Sequence, residues 1–249
     1  MAAPGKSGSG KSGSGKSGSG KSGSGEPATN KAGDGRATRW DTHREERREE
    51  LVEAAVRAID RHGPDVSMAA IAVEAGVSKP VLYRYFSDKE QLHAAVGQWG
   101  ADEVLARVVP PLLEDAPIRE RIERCMDAYL RAIEEHHQVF LLLVRHRGSD
   151  PLADGKARIA AALARVLGDA LREIDVDAAG AEPWAQSVVG LGLTTGEWWL
   201  ERRTMSRAAV SRYLAAFVWH GLEGATAEAG RPISTFGAPP AAIGRLRGR

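Results

Sequence analysis

The chain has 249 residues, 43% of them hydrophobic, enough for one large domain or two small ones with a core. Its single cysteine, Cys125, excludes an intrachain disulfide and a cysteine-based metal site, and no apolar run approaches the ~18–20 residues of a membrane span. The net charge of +1 hides segregation: residues 1–48 carry ten Lys/Arg against five Asp/Glu (+5), residues 231–249 carry four Arg and no acid (+4), and the remainder is therefore −8. A basic front and tip around an acidic body leave room for a polyanionic partner, because phosphate meets the local patch and not the sum. With no apolar leader at the front, the expectation is a cytoplasmic protein with no membrane contact.

Residues 5–24 are four copies of Gly-Lys-Ser-Gly-Ser. The stretch Gly5-Lys6-Ser7-Gly8-Ser9-Gly10-Lys11-Ser12 matches the phosphate-loop pattern G-x-x-x-x-G-K-[ST], and the match recurs from Gly10 and from Gly15. A working phosphate loop needs a buried strand before it and a helix after it, so that fixed N–H groups converge on the anion. Neither flanks this run, which reads as a flexible, positively charged coil that binds no nucleotide.

Helices account for the rest. Thr42 with Glu45 forms a capping box, after which Leu51, Ala54, Ala55, Ala58 and Ile59 recur at helical spacing until Gly63-Pro64. Ser67 opens a short second helix with Met68, Ile71, Ala72 and Ala75 inward, ended by Gly76. Ser78 caps a third, with Pro80 in its first turn. Ser87 with Glu90 opens a fourth, which runs to Pro110-Pro111. Further helices are predicted over about 118–135, 137–147, 152–174, 183–203 and 206–229. The run Val139–Val144 has helical neighbours and no strand to pair with, so it is a buried helix face. The fold class is all-α, with about nine helices.

Residues 67–89 hold the most specific pattern. Ala72 is small enough for a second helix to cross above it, Gly76 supplies the positive φ of the turn, and Val77 and Leu82 pack inward. That is the steric recipe of a helix-turn-helix. Its second helix then sends Lys79, Val81, Tyr83, Arg84 and Tyr85 outward, with Lys89 just beyond. An arginine can pair with guanine O6/N7, a valine can touch a thymine methyl, and tyrosines and a lysine can hold phosphates.

The stretch Ile71-Ala72-Val73-Glu74-Ala75-Gly76-Val77-Ser78-Lys79-Pro80-Val81-Leu82-Tyr83-Arg84-Tyr85-Phe86-Ser87-Asp88-Lys89-Glu90-Gln91-Leu92 resembles the TetR family of bacterial transcription regulators. The shared parts are the Ala-Gly-Val turn, the Leu-Tyr-x-Tyr-Phe of the recognition helix and the Lys-Glu-x-Leu that follows. The resemblance implies a three-helix DNA-binding domain, a ligand-binding helical body, a homodimer, an operator of double-stranded DNA and a small-molecule effector. By that match Lys79, Pro80, Val81, Tyr83, Arg84 and Tyr85 face DNA, and Ser67 and Lys89 contact phosphates. The expected organisation is a disordered linker over 1–35, the helix-turn-helix domain over 36–95, a ligand-binding and dimerisation domain over 96–230 and a flexible basic tail over 231–249.

In the body, Met126, Tyr129, Ile133, Phe140, Leu143, Val144, Trp184, Trp198 and Trp199 are candidate pocket residues for an apolar effector, although aromatic and Met stripes also build plain cores. Trp198 and Trp199 sit about 100° apart on a helix, so one of them borders a cavity or an interface. A dimer face is predicted from the close-approach pair Gly192 and Gly196 and from the stripe Val210, Leu214, Phe217, Val218, Gly221 and Leu222 on the last helix. His136, His137 and His146 lack a carboxylate at metal-ligand spacing, and no Gly-x-Ser-x-Gly occurs in the body, so neither a metal, a cofactor nor a catalytic residue is assigned. The leading function is a ligand-responsive regulator, usually a repressor, released from a palindromic operator by its effector. A helical enzyme acting on small molecules, or an interaction protein tethered to DNA, is the alternative.

Overall fold

The computed structural model describes the backbone of residues 34–145 and 153–230 and the side chains of residues 42–144 and 154–230. The Gly-Lys-Ser repeats, His146 and the basic tail lie outside the described residues. The chain divides into two units, Met1–Thr42 and His43–Arg249. The described part of the first is the beginning of α1 (Asp34–His62). The elements that follow are α2 (Met68–Glu74), α3 (Lys79–Tyr85), α4 (Lys89–Leu112), α5 (Ile118–Glu135), α6 (His137–Arg145), α7 (Ala153–Glu173), a 3-10 turn (Ala178–Gly180), α8 (Ala181–Arg202) and α9 (Arg207–Glu228). The described residues are thus all-α. No helix among them is long and apolar enough to cross a membrane.

Two expected caps are corrected. The first helix begins at Asp34 and not at Thr42, because no proline interrupts 34–62; Thr42 is an interior residue, unable to take the extended backbone a cap requires. The fourth helix is capped one residue later than expected. Asp88, in extended backbone, accepts the Gln91 N–H at 2.7 Å, while the Gln91 side chain reaches back to the Ser87 N–H at 2.7 Å. The Gln91 N–H, and after it Ser87, hold the Asp88 carboxyl below its usual range. Pro110 and Pro111 fall inside the last turn of α4, which closes on a Leu113 N–H to Pro110 carbonyl bond of 3.0 Å.

Helices α1 to α3 and the start of α4 form a head with its own core. Leu51, Ala55, Ala58 and Ile59 of α1, Ile71 and Ala72 of α2, Leu82 and Phe86 around α3, and Leu92 and Val96 of α4 are all buried there. Two further members, Val139 and Leu142, come from α6 in the body. The head is therefore not closed by its own three helices. Helix α4 crosses the expected domain boundary at residue 95 without a break, so a continuous helix joins head to body. Glu74 of α2 also meets Arg57 (3.5 Å) and Arg61 (2.6 Å) of α1, which fixes the second helix against the first.

The body packs α5 between α4 and α9, with α7 lying across α4 and α8. At the α4–α7 crossing, a Cβ on Gly155 would lie 3.3 Å from the Ala101 Cβ and from the Gly97 carbonyl oxygen, so this approach requires small residues. Leu130, Ile133, Trp199, Val210 and Leu214 form one buried cluster, and Ile122, Ala215, Val218, Trp219 and Leu222 another.

Candidate nucleic-acid interface and ligand cavity

The turn between α2 and α3 follows from its sequence. Gly76 sits at φ +64°, a region closed to most L side chains. Around it the Val77 N–H bonds the Ala72 carbonyl at 3.0 Å and the Gly76 N–H bonds the Val73 carbonyl at 3.1 Å. These two bonds are the Schellman pattern that satisfies the last carbonyls of a helix. Ser67 caps α2 by accepting the Ala70 N–H at 3.2 Å. Ser78 stands in extended backbone at the start of α3 but makes no side-chain cap bond, and Pro80 occupies the first turn.

The inward residues Ile71, Ala72 and Leu82 are buried, which turns the opposite face of α3 outward. Lys79, Pro80, Tyr83 and Arg84 are exposed, and Val81, Tyr85 and Lys89 are half-buried. The Lys79 ammonium lies 5.7 Å from the Tyr83 ring centre, and the Arg84 guanidinium 5.7 Å from that of Tyr85. Aromatic faces thus steady both cations without neutralising them. Lys79, Arg84 and Lys89 form no ion pair among the described residues. Ser67 is exposed at the N-terminus of α2. Seven of the eight residues expected at the DNA are therefore on, or at the ends of, the two helices of this motif, and the eighth, Lys89, opens α4 just beyond.

In the body, an apolar cavity of about 110 Å³ lies between α4, α5, α6, α7 and α8. Met126, Tyr129, Phe140 and Leu143 line it, as expected of pocket residues. Tyr129 is neutral, its pKa raised by burial, and its hydroxyl donates to the Gly192 carbonyl at 2.8 Å. Cys125 also faces the cavity, with its thiol pushed up to about 12 by burial. Lys156 is the one basic side chain in the described lining. A second cavity of about 420 Å³ shares the walls Cys125, Met126, Leu163 and Val188 with the first.

The other expected pocket residues lie elsewhere. Ile133 lines a small space beside the cavity, next to Trp99 and His136. Val144 packs on the cluster around Trp199. Trp184 covers Gly180 and joins the cluster around Trp219. Trp199 is 1% exposed, donates its indole N–H to the Met205 carbonyl at 2.9 Å and carries Arg203 over its ring at 4.8 Å. Trp198, one residue earlier, is 39% exposed. The 100° divergence of neighbouring helical positions separates these two rings, but it puts one in the core and the other on the surface, and neither in the cavity. The linings missed from sequence are Gly97, Gly100 and Val104 of α4 and Ile159 and Leu163 of α7. The signal was present in Gly97 and Gly100, two glycines inside a long helix with no turn to make.

The expected dimer face is also redistributed. Val210, Leu214, Val218 and Leu222 are buried in the chain's own core, where α9 packs on α5. Gly192 and Gly196 face inward too: a Cβ on Gly196 would come 2.8 Å from Ile133, 2.9 Å from the Tyr129 hydroxyl and 3.0 Å from Phe140. Their small size admits the side chains of Tyr129 and Ile133 from α5 and Phe140 from α6. Phe217 (70% exposed) and Gly221 stay on the surface, and Tyr213 (67% exposed) lies beside them.

A helix-turn-helix head whose second helix carries cations without ion pairs among the described residues, continuous through α4 with a helical body enclosing an apolar cavity, has the architecture of a helix-turn-helix regulator. Residues 51–96 match the family described as bacterial regulatory proteins, tetR family, and residues 107–234 match the tetracyclin repressor-like C-terminal domain. The chain belongs to the TetR family of transcriptional regulators. It is 35% identical to an uncharacterized HTH-type transcriptional regulator of Mycobacterium tuberculosis, over 86% of this chain and 93% of that one. A solved TetR-family regulator from Streptomyces coelicolor is 29% identical, with a TM-score of 0.63 over 74% of this chain and 83% of that one. The regulator FadR of Bacillus subtilis, solved in complex with stearoyl-CoA, shares the fold with a TM-score of 0.58 at 17% identity, over 68% of this chain and 96% of that one.

Proposed function

We propose that the protein acts in the cytoplasm as a ligand-responsive regulator, binds an inverted-repeat operator as a homodimer and leaves DNA when a long acyl-chain compound fills the body cavity. One observation carries the reading: α6 has two faces. Val139 and Leu142 sit in the core of the head, while Phe140 and Leu143, each one residue on, line the cavity. A ligand that displaces Phe140 therefore displaces a helix on which the head core is built. The nearly all-apolar walls suit a hydrocarbon chain, and Lys156 suits its anionic end. The fold shared with the stearoyl-CoA complex of FadR supports the same class.

The test uses a fluorescein-labelled duplex that the protein itself selects from random DNA. Palmitoyl-CoA is expected to lower DNA anisotropy in a saturable way. Leu163 borders both cavities, and Leu163→Trp should fill space on the wall they share. This variant should keep its DNA affinity and lose most of its response to palmitoyl-CoA. An unchanged response would place the ligand outside the cavity.

The dimer is assigned to the exposed faces of α8 and α9, in place of the buried stripe. Gly190 on α8 and Gly221 and Gly224 on α9 have open space where a Cβ would be, and Tyr213 and Phe217 stand beside them. Flat ground between exposed aromatics suits a second pair of helices. Phe217→Glu should give a monomer in light scattering at micromolar concentration, with its helical circular dichroism intact. A dimer that survived this change would remove α9 from the interface.

A further inference from the structure

The pair formed by Asp60 and His136 lies outside both the DNA-facing helix and the lining of the main cavity. Asp60 lies near the end of α1, in the head. His136 occupies the break between α5 and α6, and its carbonyl accepts the Phe140 N–H at 2.9 Å. His136 Nδ1 stands 2.7 Å from Asp60 Oδ2. The imidazole also meets Trp99 of α4 edge to face, with ring centres 4.9 Å apart. The second carboxylate oxygen, Asp60 Oδ1, is buried and has no hydrogen-bond partner among the described residues. A carboxylate held this way depends on a charged neighbour, because burial of an unpaired charge is costly.

Location gives the pair its meaning. A small space of about 30 Å³ separates Trp99 and His136 from Phe140 and Leu143. Both of the latter line the main cavity. His136 thus touches the head through Asp60, the joining helix α4 through Trp99 and the cavity wall through α6. We propose that the Asp60–His136 ion pair pins the first turn of α6 to the head in the DNA-binding state, and that proton loss from His136 loosens this pin and weakens operator binding without ligand. The ligand-response part of this proposal rests on the function proposed above; the pH part does not.

The charged groups facing His136 are few. Asp60 approaches from α1, and Glu103 and Arg107 from α4. Arg107 is itself paired with Glu103 and with Glu135, the latter at 2.5 Å. His137, the next residue, contacts Gln138 instead. The hydrogen bond to Asp60 raises the His136 pKa above its ordinary value, burial opposes this, and the charges of Asp60 and Glu103 add to the rise. A raised histidine keeps its pair intact below the ordinary value of about 6.5 and loses it as pH climbs through the raised one.

The experiment measures operator affinity of the full chain between pH 6 and pH 9, for wild type, His136→Gln and Asp60→Asn, each first checked by thermal melting. In wild type, affinity should fall by roughly 5-fold or more across this range, in keeping with ordinary coupling between sites. In both variants the same profile should be flat to within about 2-fold. Either variant suffices if the other fails to fold. Palmitoyl-CoA is then added at pH 6.5. His136→Gln should bind it with wild-type affinity, read by tryptophan fluorescence, yet release DNA several-fold less than wild type. If the variants kept the wild-type pH slope, or if wild type had none, the pin would be refuted. If wild type did not respond to palmitoyl-CoA at all, the proposed ligand class would fail, and the pH profiles alone would decide the pin.

Discussion

Trp199→Ala is expected to lower the melting temperature by roughly 10 °C, with an unfolding cost of about 3–5 kcal/mol. The indole is 1% exposed and packs among Leu130, Ile133, Phe140, Val210 and Leu214. Its N–H also holds the Met205 carbonyl at 2.9 Å, so removal leaves a vacancy and strips a bond from the α8–α9 turn. That turn bends sharply: Arg203 adopts φ +48°, with its side chain over the same ring and its guanidinium 2.6 Å from Glu134. Arg207, just beyond, reaches Asp127 at 3.1 Å and Glu134 at 2.9 Å. Trp199 is thus the post against which the connection of the last two helices is fixed to α5. Val73→Ala, at a side chain that is 80% exposed, should change stability by no more than about 0.5 kcal/mol. Both are to be compared with wild type at equal protomer concentration, because the proposed dimerisation would make stability depend on it. A Trp199→Ala protein that melted with the Val73→Ala protein would show that the ring is not a structural support.

The head was legible in the sequence because its signals are local. Ser67, Gly76 and Ser78 mark ends that are set within a few residues, and Gly76 does take the left-handed conformation its position suggested. The body was legible as helices but not as surfaces. On α9, Val210, Leu214 and Val218 recur at the same interval as Tyr213, Phe217 and Gly221. Both stripes are apolar enough to be covered, and only the position of α5 decides that the first is core and the second is free. The tryptophans misled for a related reason. Size and aromaticity report that a side chain needs burial, whereas a cavity is made where side chains are missing, here at Gly97, Gly100 and Gly192. The pin between Asp60 and His136 spans 76 residues, and no local pattern announces such a pair.

On the head, Arg84 and Lys89 are expected to fail differently when removed. Arg84 is in the last turn of α3, exposed, stacked on Tyr85 and free of carboxylate partners among the described residues. A planar guanidinium so held can offer two N–H groups to one guanine edge. Arg84→Ala should cost about 1–3 kcal/mol per half-site, hence roughly 2–6 kcal/mol for a dimer on both, and relax the preference at one base pair in each half-site. Lys89 is the first residue of α4, one position after the Asp88 cap, outside the recognition helix. From there it can reach only the backbone of the duplex. Lys89→Ala should weaken selected and unrelated DNA alike and reduce the salt slope by about one per protomer. Lys79 begins α3 and lies over Tyr83, within reach of a base edge, so its loss should resemble that of Arg84. The measurement is a set of binding curves against a library of operator variants at two salt concentrations. Arg84→Ala with unchanged affinity and unchanged base preference would mean that α3 is not the reading helix, and an Arg84→Ala defect of equal size on every sequence would reduce its role to that of a phosphate clamp.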